Sequence, residues 1–90
     1  MAKARHMMAH AIMESAMPDA AYEAKAKNLL KAEMKRRGLT YAGLSERLAA
    51  VGVREDERNL RNKVARGKFT AAFMLQCMEA IGAETIRLRD

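Results

Sequence analysis

Arg58, Asn59, Arg61, Asn62, Lys63, Arg66 and Lys68 crowd into one short stretch of the chain. Residues 58–68 hold five cations and no acid. Those residue types suit a polyanion. Lysine and arginine neutralise phosphates, arginine can grip guanine with two hydrogen bonds, and asparagine can do the same to adenine. A solvated surface face would show the same cations, so charge alone does not separate the two readings. Other chemistry has less to stand on. His6 and His10 lie one helical turn apart but have no third ligand in register, which falls short of a metal site. Cys77 sits among apolar residues, where a thiol is ordinarily inert. No Ser/His/Asp or Cys/His set is present for nucleophilic catalysis, so the chain is not expected to be an enzyme or to need a cofactor or a small-molecule substrate.

The basic stretch needs a helix to present it. Leu60 and Val64 are spaced as a buried pair, which turns Arg58, Asn59, Asn62 and Arg66 to the opposite side at 100° per residue. Asp56 or Glu55 opens this helix, with acids in the first turn as the helix dipole favours, and Gly67 closes it. A preceding helix over Thr40–Ala50 places Tyr41, Leu44 and Leu48 towards the core, with small Ser45 on the same side. Thr40 caps it, Leu39 and Leu44 stand at the positions of a hydrophobic staple, and Gly52 marks the turn that follows. Together they make two short helices joined by a turn, a unit that can press its second helix against a duplex.

Two further helices complete the predicted core. One runs from about Ala20 to Arg37, with Asp19 as its N-cap and Gly38 as its left-handed stop. Tyr22, Ala26, Leu29, Leu30 and Met34 form its apolar stripe, while Lys27, Lys31 and Lys35 line another face. The other begins after Thr70, with Phe69 and Met74 as a second staple. Phe73, Leu75, Cys77, Met78 and Ile81 are apolar over more than one face, as in a central helix. Gly82 stops it. The tail from Ala83 contains TIRL, which fits either a short strand or a last helical turn. Residues 1–17, rich in Ala and Met, fit a loosely amphipathic helix or a frayed extension.

Ninety residues make one small domain with modest stability unless it self-associates. Half the residues are hydrophobic, there is no tryptophan, and the single proline leaves helices uninterrupted. The composition is that of an all-α domain. The net charge of +6 is unevenly spread. Six basic and two acidic side chains give residues 20–39 a charge of +4, and six against three give residues 54–68 a charge of +3. A lone cysteine forms no internal disulfide and suits a reducing cytoplasm. No apolar run reaches the ~18 residues of a membrane span. His10 and Glu14 interrupt the N-terminal apolar stretch, so it is not expected to be a secretory leader.

With four helices placed, residues 26–88 resemble the Cro/lambda-repressor-like (Xre-type) helix-turn-helix family of bacterial DNA-binding domains. The segments that carry the resemblance are LKAEMKRRGLTYAGLSERLA, KVARGKF and AAFMLQCMEAIG. LRNKVARGKFTAAF is also similar to an uncharacterised bacterial branch of that family, for which no activity is implied. The resemblance implies that the helix over Thr40–Ala50 supports, and that the helix of about 56–66 reads the major groove. By position, Ser45 takes the small-residue site of the supporting helix. Leu60 or Arg61, and Val64, take the apolar sites of the reading helix, and Arg66, Gly67 and Lys68 close the motif. The chain departs from the family where AVGVREDE adds about three residues before the reading helix. Leu60 and Val64 are also four apart, where three is commoner.

The expectation is therefore an all-α, four- to five-helix lambda-repressor-like domain over 19–90, with an N-terminal extension over 1–18. Its expected role is a cytoplasmic, sequence-specific transcriptional regulator that binds double-stranded DNA as a homodimer. Met7, Met8, Ile12 and Met13, or the TIRL tail, would supply the dimer contact. One alternative is a protein-interaction module on the same fold that does not bind DNA, which the acids Glu55, Asp56 and Glu57 favour. Another is membrane-surface binding by Lys25–Arg37, but its lysines are too dispersed around the helix for a segregated polar face.

Overall fold

The computed structural model describes residues 18–88, which form four α-helices. These are α1 (Pro18–Arg36), α2 (Tyr41–Ala50), α3 (Glu57–Arg66) and α4 (Ala71–Ala80). The expectations placed on residues 1–17, including the His6/His10 pair and the methionine-rich dimer contact, lie outside the described residues. Helix α2 packs against both α3 and α4, and α1 packs against the same two helices. Among the described residues no helix is long and apolar enough to cross a membrane.

The core is where the helical spacing predicts it. Leu30 and Met34 from α1, Leu44 and Leu48 from α2, Leu60 and Val64 from α3, and Phe73, Cys77 and Met78 from α4 form one buried cluster, extended by Ile81. Leu39, Tyr41, Val53, Phe69 and Met74 pack around it. Phe69 and Phe73 meet at 5.3 Å between ring centroids, tilted by 53°, a favourable aromatic arrangement.

Helix ends follow the sequence signals. The Thr40 hydroxyl accepts from the Gly43 amide at 3.1 Å, the Asp56 carboxylate from Asn59 at 2.7 Å, and the Thr70 hydroxyl from Phe73 at 3.0 Å. Each satisfies an amide that the first helical turn leaves without a partner. After α1, the Leu39 amide reaches back to the Met34 carbonyl at 2.9 Å, closing the end around Gly38 at φ 65°.

Four expectations need correction. Helix α1 starts at Pro18, so Asp19 lies inside its first turn instead of capping it. Proline fits a first helical position because its missing N–H has no helical acceptor there anyway. Tyr22 is 68% exposed, although Glu23 beside it packs against Gly67 at the end of α3. Leu75 is 56% exposed, so α4 buries one broad side and leaves a flank bare. TIRL is neither strand nor helix: residues 83–87 have no regular structure, and Ile86 and Leu88 face solvent. No neighbouring strand among the described residues is there to pair with the tail, and Gly82 at φ 84° has already broken the helix.

Candidate nucleic-acid interface

Helix α3 is set by two inward residues. Leu60 and Val64 are both 0% exposed, which fixes the rotation of the helix about its axis. Arg58, Asn59, Asn62 and Arg66 consequently point to solvent, as do Arg61 and Lys68. Lys63 alone among the seven sequence-predicted residues is half-buried.

The three acids before and within the first turn are all engaged. The Asp56 side chain caps the helix. Glu57 pairs with Arg61 at 2.9 Å along the helix. Glu55 accepts from Lys63 at 2.7 Å across the α2–α3 connection. The Lys63 ammonium also lies 4.7 Å from the Phe73 ring centroid, so this cation is directed back onto the protein. Arg61 likewise lies over the Tyr41 ring, at 5.4 Å. Arg58, Asn59 and Asn62 are the polar side chains on the outward face between these pairs.

The connection between α2 and α3 is pinned from both sides. Ser45 Oγ donates to the Glu55 carbonyl at 2.6 Å, and the Glu55 carboxylate takes the Lys63 ammonium. The α2–α3 connection is thus braced between α2 and the last turn of α3. Sequence spacing predicted a small side chain at Ser45 but not its hydroxyl bond. Glu55 and Lys63 are eight residues apart, a separation that no helical periodicity flags.

The far end of α3 is fastened to α1. The Lys27 ammonium donates to the Ala65 carbonyl at 3.2 Å, a cation at the negative end of a helix. Gly67 takes φ 70° and donates its amide to the Lys63 and Val64 carbonyls. A Cβ on Gly67 would lie 2.7 Å from the Glu23 carbonyl oxygen, so α1 and the end of α3 approach to a distance that only glycine permits. Lys27 was expected on a free lysine face with Lys31 and Lys35. Lys27 is half-buried, whereas Lys31 and Lys35 are exposed.

Glu33 and Cys77 depart from their ordinary behaviour. Glu33 is buried on α1, and its carboxylate accepts from the guanidinium groups of Arg36 and Arg37. The Arg36 hydrogen bond is the largest influence and, with Arg37, holds the carboxyl below its usual 4.5 against the opposing effect of burial. Burial pushes the Cys77 thiol up to about 12, with Lys63 lowering it slightly and Glu55 raising it. Among the described residues, no group of three or more His, Cys, Asp and Glu side chains is placed to hold a metal ion.

The architecture is that of a small all-α domain in which a helix–loop–helix pair presents a basic, amide-bearing helix to solvent. The chain belongs to the family described as Domain of unknown function (DUF6471), whose match spans residues 22–86, from the first half of α1 through the segment after α4. Neither a curated protein nor a solved structure matches the chain.

Proposed function

We propose that the chain is a sequence-specific DNA-binding protein of the helix-turn-helix kind, with α2 supporting and α3 reading the major groove. The observation that carries this reading is the division of α3. Leu60 and Val64 are fully buried, while Arg58, Asn59 and Asn62 stand exposed together on the opposite side. In the proposed complex these three meet base edges. Arg66 and Lys68, at the end of the helix and just past it, contact phosphates and set the register without reading sequence.

The acids at the start of α3 bear on the rival reading, an interaction module that does not bind DNA. Free acids there would repel phosphates. Pairing of Glu55 and Glu57 and the capping role of Asp56 weaken that repulsion, which favours the DNA reading. Arg61 and Lys63 lend part of their charge to the same pairs, so the proposed readout rests first on Arg58, Asn59 and Asn62. A homodimer would place two such helices about one DNA turn apart on a repeated half-site. Repression or activation of transcription would follow from where that site lies.

The test is selection of binding sites from random duplexes at two salt concentrations. A motif should be enriched, and affinity should fall steeply as salt rises, because binding releases counterions from the phosphates. Arg58→Ala and Asn62→Ala should each cost about 1–3 kcal/mol and relax preference at one position. Lys68→Ala should weaken all duplexes alike. Retention without a motif would overturn sequence-specific reading, and no salt-dependent retention would overturn DNA binding altogether.

A further inference from the structure

An apolar groove of about 420 Å³ opens between α1 and the start of α2, apart from the base contacts proposed for α3. Its floor is the carbon surface of Ala32, Met34, Leu39 and Tyr41, and Lys31 and Lys35 stand along its α1 wall. Asn28 and Thr40 complete the lining, which contains no acid. Both lysines are exposed, and neither takes part in an ion pair within the described residues. Arg61 lies over the Tyr41 ring, but its charge is paired with Glu57, so the two lysines carry the charge of the rim.

We infer that this groove is a docking site for an acidic amphipathic segment of another protein, one that inserts large apolar side chains and sets Asp or Glu against Lys31 and Lys35. The combination of floor and rim selects the occupant. A volume within the ~300–1,000 Å³ range of binding pockets accommodates apolar side chains of the kind that anchor a helix in a groove. Two ammonium groups beside that floor attract acids and discourage cationic partners. A second copy seated in this groove would bring an excess of cations, 17 Lys and Arg against 11 Asp and Glu, beside Lys31 and Lys35, an objection that does not touch a dimer contact elsewhere on the chain. The chain's own first seventeen residues offer Glu14 against Lys3 and Arg5, so they lack the complementary sign. A duplex would satisfy the lysines but has no apolar side chains to cover the floor.

The experiment selects short random peptides displayed on phage against the full chain at physiological salt. The enriched peptides are then measured by fluorescence anisotropy on the wild type, on K31E/K35E and on A32Q. Lys31, Lys35 and Ala32 are exposed, so these substitutions leave the core intact, which circular dichroism verifies. Enriched peptides should combine Asp or Glu with Leu, Phe or Trp. Their affinity should drop roughly tenfold or more on charge reversal, about 1.4 kcal/mol per tenfold. It should also fall on A32Q, which fills the floor without altering charge. Absence of enrichment, enrichment of peptides without acids, or full binding by both variants would overturn the inference. So would self-association that K31E/K35E abolishes, which would put a second copy in the groove. The assay contains no DNA, so its outcome is independent of the proposed reading by α3.

Discussion

Gly67 shows how much one position can hold. It carries a left-handed backbone and a contact with α1 at once, so two costs fall on any replacement. Gly67→Ala should lower stability by about 2 kcal/mol or more, from a strained φ together with the displaced Glu23 carbonyl. Gly38 is the control. It also has a positive φ, but a Cβ there meets nothing within 4 Å, so Gly38→Ala should cost about 1 kcal/mol from the backbone alone. Urea denaturation of the two variants measures the difference. Glu33 makes a prediction of opposite kind. Its folded-state carboxyl titrates below the ordinary 4.5, so its pairing stabilises the fold fully above that value. The contribution is lost as pH falls from 4.5 through the lower folded-state value. Glu33→Gln should flatten that part of the acid stability profile, read from urea midpoints at successive pH values. Cys77 should stay unreactive towards a thiol reagent at neutral pH in the native chain and react once the chain is denatured, because its thiol is buried and raised to about 12.

At the scale of elements, the helices were legible because their signals are local. Thr40, Asp56 and Thr70 precede apolar spacing and act within three residues, so sequence alone places those starts. Asp56→Ala should cost about 1 kcal/mol by thermal or chemical denaturation, the ordinary value for a lost N-cap. Leu60→Ala should cost about 2–5 kcal/mol as a core truncation. The site was less legible. Helical geometry predicts which side Arg58, Asn59 and Asn62 occupy. It does not predict that Lys63 turns back to Glu55 and Phe73, because those partners lie on other elements. The brace from Ser45 to Glu55 was hidden for the same reason. Ser45→Ala should cost about 1 kcal/mol and free the α2–α3 connection. Its sharper signature is loss of protection by hydrogen exchange in the Asn59 and Leu60 amides, which Asp56 holds, with α1 unchanged.

For the molecule as a whole, charge and packing divide the surface into two regions of different character. The outward side of α3 joins cations to amide groups, which suits hydrogen bonding to a nucleic acid. The α1–α2 groove joins cations to an apolar floor, which suits an acidic protein segment. Composition disclosed the basic excess but not this separation, which depends on Tyr41 and Leu39 being brought beside Lys31 and Lys35. The exposed Tyr22 and Leu75 were obscured by a related ambiguity. Helical spacing identifies an apolar stripe, but the length of the stripe that finds a neighbour is set by tertiary packing.

The anchoring of α3 at both ends has a consequence for how the domain breathes. The connection that leads into it is moored to α2 through the Glu55 carbonyl, and its last turn is held by Lys63 to Glu55 and by Lys27 and Gly67 to α1. A helix moored in that way has no loose end from which to peel. Amides in its last turn should therefore exchange with solvent only in openings that also expose the facing turns of α1, and the two segments should share one opening free energy.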